Sequence, residues 1–370
     1  MSRFPVELVP SYVRAIRPYI PGKPIEEAER ELGMRVIKLA SNENPLGPSP
    51  LAMDAARKIL AGTNRYPDGG GFYLREALAE RHNVPKEQIV LGCGSSDLID
   101  QSARAYVPFG YEGIISEGTF PLYEIALRSI GARIVRAPIR EFHYDLAAIT
   151  AAVTPRTRII YLANPNNPSG TMFTADEFEA FMERIPDSVL VVLDEAYYEY
   201  VERQNYSRSL NMVRKGRNLL VMRTFSKIYG LAGMRIGYGF GPAGLVEHID
   251  KVRLPFNTSD VAQGAARAAL DDHDHVRKSL ESNRAGMTQM TEGLAELGIS
   301  FVPSVANFLL VNLGTSPEEI TAQLFRRGVI VRPMAWMGFP HAIRVTIGTH
   351  AEIEQFLGAM REVMTPAISN

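Results

Sequence analysis

The chain has 370 residues, of which 46% are hydrophobic and 22% charged, a composition that is typical of globular proteins and excludes disordered and fibrous ones. Its 40 basic and 41 acidic residues nearly balance, so the charge gives no indication of binding to nucleic acid or an anionic membrane. The longest aliphatic run, Val189–Leu193, is too short to cross a bilayer. Met1–Pro10 lacks the apolar core of a secretion signal, and a single cysteine allows no internal disulfide. We therefore expect a soluble cytoplasmic protein.

Short aliphatic runs alternate with amphipathic stretches over most of the chain. The runs predict strands at Val36–Ala40, Ile89–Leu91, Gly113–Ile115, Arg133–Ala137, Arg158–Leu162, Val189–Asp194, Asn218–Arg223 and Ile236–Phe240. Helices are predicted between them at Pro50–Ala61, Gly71–His82, Ser96–Val107, Pro121–Ile130 and Ala175–Ile185. Because the strands are apolar throughout rather than alternating, helices should cover both faces of a mostly parallel sheet. The pattern predicts a large α/β domain over residues 38–260.

The pattern changes after about residue 260. One long helical stretch is predicted at Ser259–Leu297. It is followed by predicted strands at Ser300–Pro303, Asn307–Asn312, Val329–Arg332 and Ile343–Ile347, and by helices at Pro317–Arg327 and Ala351–Met364. This mixture predicts a small α+β domain over residues 261–370. We expect residues 1–37 to form an arm that packs with the small domain.

Polar residues stand where several of the predicted strands end. Asp194 ends the most hydrophobic strand, and Tyr197 follows it by three residues. Asn167 and Lys227 each lie in the loop after another strand. Because ligands of α/β sheets bind beyond the carboxyl ends of the strands, we expect these four side chains to face one ligand.

A glycine-rich turn after the strand Ile89–Leu91 opens the next predicted helix, and its free N–H groups suit an anion. The turn does not match GxGxxG and no Walker lysine follows it, which argues against NAD and ATP. Phe120 is the candidate for stacking on an aromatic ring. The residues predicted to form the anion cup are Gly94, Ser95, Ser96, Ser226 and Arg235.

Together these groups fit one cofactor, pyridoxal 5′-phosphate. Lys227 would form the Schiff base, and Asp194 would keep the pyridine nitrogen protonated so that the ring draws electrons. Asn167 and Tyr197 would hydrogen-bond the ring hydroxyl oxygen and so set the pKa of the Schiff base. Phe120 would stack on the ring while the cup holds the phosphate. The predicted catalytic residues are Lys227, Asp194 and Tyr197.

From about Ser11 to Arg361 the chain resembles the fold-type I aminotransferases and, within them, the histidinol-phosphate aminotransferase family. The segments that carry the resemblance are Leu39–Gly47, Arg65–Asp68, the Asn167 loop, Asp194–Tyr197, Thr224–Arg235, Ala306–Leu310 and Arg344–Thr349. The resemblance implies a ping-pong transamination through Lys227, with histidinol phosphate and 2-oxoglutarate as the substrate pair.

The resemblance also implies a homodimer with shared active sites, in which Tyr66 reaches the cofactor phosphate of the neighbouring subunit. Arg344 would bind the anionic end of the substrate, and Arg332 would provide a second anion site nearby. Further substrate contacts are expected from Asn167, Tyr19 and Asn44.

Three other functions remain open at this point. An aromatic amino acid aminotransferase and a threonine-phosphate decarboxylase share the scaffold and the lysine, and a regulatory module that senses the cofactor could have lost catalysis. Cys93 stands where relatives often carry Asn or Arg, and Phe120 where many carry Tyr, so the amino donor is not fixed.

Two other groups of residues have a structural interpretation as well as a functional one. The histidines form no cluster, and His273 and His275 are two residues apart, so we expect no metal site and two solvated side chains. Trp336 and Met337 could equally pack in the core or form a wall of the substrate pocket.

Overall fold

The computed structural model describes residues 6–364, so the first five residues of the expected arm and the last six of the expected small domain lie outside it. The helices are α1 Ser11–Arg14, α2 Ile25–Leu32, α3 Pro50–Ile59, α4 Phe72–His82, α5 Ser95–Tyr106, α6 Leu122–Ser129, α7 Leu146–Ala151, α8 Ala175–Arg184, α9 Ser209–Arg214, α10 Ala243–Val252, α11 Asp260–Leu270, α12 His273–Glu296, α13 Pro317–Arg326 and α14 His350–Met364. The strands are β1 Ile37–Lys38, β2 Ile89–Gly92, β3 Glu112–Ser116, β4 Arg133–Ala137, β5 Ile139–Arg140, β6 His143–Tyr144, β7 Thr157–Ala163, β8 Leu190–Asp194, β9 Leu219–Thr224, β10 Gly237–Phe240, β11 Ser300–Val302, β12 Phe308–Asn312, β13 Val329–Ile330, β14 Arg332–Pro333 and β15 Ala342–Thr346.

A seven-stranded sheet in the order β2–β10–β9–β8–β7–β3–β4 forms the centre of the large domain. Its neighbouring strands pair in parallel except for β10, which is antiparallel to both β2 and β9. Val191 and Leu193 of β8 pack into one hydrophobic cluster, whereas Leu190 and Val192 pack into another. Apolar clusters thus cover both sheet faces, and the predicted α/β fold is confirmed.

The direction of the strands positions the functional groups. Since β3, β7, β8 and β9 run parallel, their carboxyl ends meet at one edge of the sheet. Because β10 is antiparallel to both β2 and β9, β2 also ends at this edge. The loops that follow these five strands therefore come together there.

The small domain contains the antiparallel sheet β11–β12–β15–β14. The run Val36–Ala40, predicted as a strand beside the others of the large domain, forms only β1, and β1 pairs with β13 of the small domain. Leu39 packs into the core of that domain beside Leu309 and Val345. A short, mostly aliphatic run predicts a strand but carries no information about which sheet it joins.

The long helical stretch predicted at Ser259–Leu297 is two helices, because Asp272 interrupts it and accepts a hydrogen bond from the backbone N–H of His275 as the cap of α12. Helix α11 packs its alanines into the core of the large sheet. Contrary to expectation, His275 is buried, whereas His273 is exposed as predicted.

The N-terminal residues contact both domains. Ala28 of α2 packs with Ala40 and Ile330 beside the small domain, while the ring of Tyr12 in α1 lies 5.9 Å from that of Phe109 in the large domain. Among the described residues, no helix is both long and apolar enough to cross a membrane.

Candidate active site

A cavity of about 500 Å³ opens at the carboxyl edge of the central sheet, between the two domains. It is lined by eleven of the predicted site residues, namely Lys227, Asp194, Tyr197, Asn167, Ser95, Ser96, Ser226, Arg235, Phe120, Tyr19 and Arg344. Asn42 and Tyr123, to which the sequence assigned no role, also line it. Residues far apart in the chain thus share one site.

Lys227 lies three residues beyond the end of β9, in contact with the N-terminal segment at Ser41. Its Nζ donates a hydrogen bond of 3.2 Å to the carbonyl oxygen of Ser41. Burial, reinforced by the nearby charge of Arg344, lowers the pKa of Lys227 to about 8. The amine therefore loses its proton far more readily than an ordinary lysine, as a nucleophile requires.

Asp194 is only 6% exposed at the end of β8. Its Oδ2 accepts a hydrogen bond of 2.9 Å from the hydroxyl of Tyr123, and its Oδ1 accepts one of 3.1 Å from the N–H of Ala196. Burial raises the pKa of Asp194 to about 6, while both hydrogen bonds act in the opposite direction. A carboxylate held this way favours a cationic partner, because such a partner would offset the cost of burying the charge.

The anion cup forms where β2 leads into α5. Gly94 has a φ of +75°, and a Cβ there would lie 2.4 Å from Nη2 of Arg235, so only glycine fits. The Arg235 guanidinium donates to the hydroxyls of Ser226 and Ser96 at 3.4 and 3.3 Å. The first turn of α5 has no side-chain cap. Its N–H groups and the guanidinium therefore favour an anion.

Arg344 reaches the cavity from β15 of the small domain. Its Nη1 donates to Oδ1 of Asn167 at 2.5 Å, and its Nη2 donates to the carbonyl oxygen of Ala40 at 2.7 Å. Its Nε is buried and has no hydrogen-bond partner among the described residues. Because Arg344 is a buried cation that lines the cavity, the site favours an anionic ligand.

Tyr197 and Asn167 flank Lys227 in the cavity. Nζ of Lys227 lies 5.7 Å from the centre of the Tyr197 ring. The Tyr197 hydroxyl accepts a hydrogen bond of 2.9 Å from Nδ2 of Asn42, and burial raises the pKa of Tyr197 to about 12. The hydroxyl therefore keeps its proton at neutral pH and can donate it in a hydrogen bond.

Arg332 pairs directly with Arg344 across β14 and β15. It is buried but does not line the cavity, and its guanidinium donates to the carbonyl oxygen of Ile20. The rings of Tyr19 and Trp336 lie 5.6 and 5.2 Å from its guanidinium carbon. Arg332 is therefore not part of the cavity lining, and its guanidinium lies beside two aromatic rings.

Besides Arg332, three predicted residues lie outside the cavity lining. Tyr66 is 82% exposed and stacks on Phe256, and Gly94 borders the cup through its contact with Arg235. Asn44 donates to the carbonyl oxygen of Ile228 and to the hydroxyl of Ser279, both at 2.8 Å, so its side chain joins buried segments.

The structure also shows the surroundings of Trp336, Met337 and Cys93. Met337 packs in a small hydrophobic cluster, whereas Trp336 is half-exposed beside Arg332 and neither lines the cavity. Cys93 is exposed, and its N–H donates to Asp97. Within residues 6–364 no cluster of His, Cys, Asp and Glu side chains is suited to a metal ion.

Residues 34–360 match the model of the family "Aminotransferase class I and II". The chain belongs to this family. It is 48% identical to histidinol-phosphate aminotransferase 1 of Nitrosococcus oceani, with 97% of both chains covered. It is 46% identical to the histidinol-phosphate aminotransferase of Moorella thermoacetica, with 97% of this chain and 95% of the relative covered.

A solved structure shows the same fold. The crystal structure of histidinol-phosphate aminotransferase from Sinorhizobium meliloti in complex with pyridoxal-5′-phosphate has a TM-score of 0.89 with this chain, at 30% identity and 98% coverage of both chains. The predicted resemblance to histidinol-phosphate aminotransferases and the fold-type I architecture are therefore confirmed. The protein is an aminotransferase.

Proposed function

We propose that this aminotransferase transfers the amino group of histidinol phosphate to 2-oxoglutarate, using pyridoxal 5′-phosphate bound at Lys227. The observation that carries the proposal is Arg344, a buried cation that lines the same cavity as the pKa-lowered amine of Lys227. Relatives named for histidinol phosphate over nearly the whole chain support this choice of substrate.

The residues of the cavity fit the cofactor group by group. The cup at Gly94, closed by Arg235, suits a dianionic phosphate, and the buried carboxylate of Asp194 suits a protonated ring nitrogen. Phe120 lines the same cavity and provides an aromatic face. When bound, pyridoxal phosphate would supply an electron sink that acidifies the Cα–H bond of the amino donor.

The side chains of this protein would then bind, orient and move a proton. Lys227 would hold the cofactor and would take the proton from the Cα of the amino donor, for which a pKa of about 8 suits it near neutral pH. Asp194 would stabilise the positive charge on the ring nitrogen. Tyr197 and Asn167 would donate hydrogen bonds to the ring hydroxyl oxygen.

Two arginines on paired strands would divide the recognition of substrate anions. Arg344 is placed to bind the phosphate of histidinol phosphate or the α-carboxylate of glutamate, because its planar fork pairs with either group. Arg332, beside it on β14, would meet the distal carboxylate of glutamate. Movement of the segment that contains Ile20 would free the guanidinium for that contact. Asn167 and Tyr19 line the space between.

A homodimer completes the site in this proposal. Tyr66 is 82% exposed and stacks on Phe256, which is itself exposed. Clustered exposed aromatic residues are typical of protein interfaces. Tyr66 would thus donate a hydrogen bond to the cofactor phosphate of the second subunit.

Single-turnover conversion of the cofactor to its amine form tests the proposal. The holoenzyme is mixed in a stopped-flow spectrophotometer with histidinol phosphate, phenylalanine, tyrosine, glutamate or threonine phosphate. The fastest reaction among the amino donors other than glutamate is expected with histidinol phosphate. A faster reaction with phenylalanine or tyrosine would instead support the aromatic aminotransferase, and carbon dioxide release from threonine phosphate would support the decarboxylase.

A further inference from the structure

Asn42 joins three separate parts of the molecule at the cavity wall. Its backbone N–H donates to Oγ1 of Thr346 at 2.9 Å, and its Oδ1 accepts from the same hydroxyl at 3.2 Å. Its carbonyl oxygen accepts a hydrogen bond of 3.1 Å from Nδ2 of Asn307. All three residues are at most 3% exposed. Two small-domain residues therefore fix the position of Asn42.

The remaining donor of Asn42 holds a residue of the large domain. Its Nδ2 donates to the hydroxyl oxygen of Tyr197 at 2.9 Å, and both side chains line the cavity. A phenolic hydroxyl that accepts this bond still has its own proton to donate. Among the described residues no acceptor is found for that proton, so a ligand in the cavity can receive it.

We propose that Asn42 is a positioning residue: it holds the Tyr197 hydroxyl so that this group donates to the ring hydroxyl oxygen of the cofactor, and it links that bond to the strand that carries Arg344. The inference rests on the proposed function, because it requires the cofactor at Lys227. Thr346 lies two residues beyond Arg344 on β15, so a shift of that strand would move Asn42.

The direction of the effect follows from the polarity of the bonds. A hydroxyl that accepts a hydrogen bond becomes a stronger donor. With Asn42 in place, Tyr197 should stabilise a negative charge on the ring oxygen, which disfavours protonation of the neighbouring Schiff base nitrogen. The charged or titratable groups that act on Tyr197 are Arg344, Asp194, Lys227 and Tyr19, and none of them is removed by changing Asn42.

The substitution Asn42→Gly isolates the side chain. Asn42 has a φ of +54°, which glycine adopts freely, so the backbone can keep its course. The holoenzyme is titrated with acid and base while the visible absorbance of the Lys227 adduct is recorded. The pKa of the Schiff base should rise by about 0.5 to 1 unit, a threefold to tenfold increase in proton affinity, as expected for one hydrogen bond.

Asn83→Gly is the matched control, since Asn83 also has a positive φ, of +49°, but is exposed at the end of α4. It should leave the titration unchanged. If Asn42→Gly does not fold, Asn42→Ala carries the same test, because a methyl group donates no hydrogen bond and adds no charge to the cavity.

A double-mutant cycle with Tyr197→Phe distinguishes loss of the position of the Tyr197 hydroxyl from a general loosening of the cavity wall. Tyr197→Phe alone should raise the pKa, and adding Asn42→Gly should raise it no further. An unchanged titration in Asn42→Gly, or an equal shift in the Tyr197→Phe background, would overturn the inference. If the wild type forms no adduct at Lys227, as judged by borohydride reduction, the proposed function fails instead.

Discussion

Replacing Arg344 with alanine should impair both half-reactions of the proposed cycle. The guanidinium donates through Nη1 to Asn167 and through Nη2 to the carbonyl oxygen of Ala40, and it lines the cavity in which the substrate anion would bind. A hydrogen bond to a charged group contributes about 1.5–3 kcal/mol, and loss of one member of a buried charged pair costs about 2–5 kcal/mol. Since about 1.4 kcal/mol is a factor of ten, kcat/KM should fall at least tenfold with either amino donor.

Arg332→Ala should behave differently. Arg332 does not line the cavity, and its guanidinium donates to the carbonyl oxygen of Ile20 beside the rings of Tyr19 and Trp336. It would bind only a substrate with a second, distal anion. Arg332→Ala should therefore lower kcat/KM much more for the glutamate half-reaction than for the histidinol-phosphate one.

Stopped-flow single turnovers with glutamate and with histidinol phosphate measure the two halves separately. Arg344→Lys keeps the charge but not the planar fork and should recover only part of the rate. Arg327→Ala, which removes a partly exposed small-domain arginine paired with Glu362, serves as the control and should change neither half-reaction. Equal losses in both halves from Arg332→Ala would refute the division of labour, and a normal rate in Arg344→Ala would refute the anion site.

Four further predictions concern the cofactor. Lys227→Ala should bind pyridoxal phosphate without a borohydride-reducible bond and lose nearly all turnover. In the wild-type apoenzyme, capture of pyridoxal phosphate should speed up with pH and level off above about 8, because only the neutral amine attacks; a rise that continued towards ~10.4, the pKa of ordinary lysine, would contradict the lowered pKa. Asp194→Asn should keep the adduct but raise the activation free energy of turnover by about 3–4 kcal/mol, because a neutral amide cannot stabilise the ring cation. Near-normal turnover would exclude this role. Hybrid dimers of wild type with a Tyr66→Ala, Lys227→Ala subunit should lose activity at the one site with an intact lysine, and full activity per intact lysine would contradict a shared site.

The sequence alone was sufficient for the groups that follow the strands. Asp194 at the end of β8, Lys227 just past β9 and Gly94 between β2 and α5 were identified because each stands next to a strand in the chain. Parallel strands place their carboxyl ends at one edge, so adjacency in the sequence became proximity in the cavity. The cup and the reactive amine were predictable for this reason.

Other features of the site could not be read from local patterns. The bonds from Asn42 to Tyr197 and from Arg344 to Asn167 join residues 155 and 177 positions apart. They exist because the two domains dock across the cavity, and no periodicity or turn signal encodes that docking. The burial of His275 likewise depends on packing around Asn44, since its position on α12 alone suggested a solvated residue.

The sequence by itself determined the α/β class, the chemistry of the strand-end residues and the resemblance to a family, because apolar periodicity and short motifs are local properties. Only the tertiary structure decided which sheet β1 joins, where α11 packs and which partners hold Tyr197, Asp194 and Arg344. These depend on which surfaces are buried against each other. That choice is made by the free energy of the whole fold rather than by any one segment.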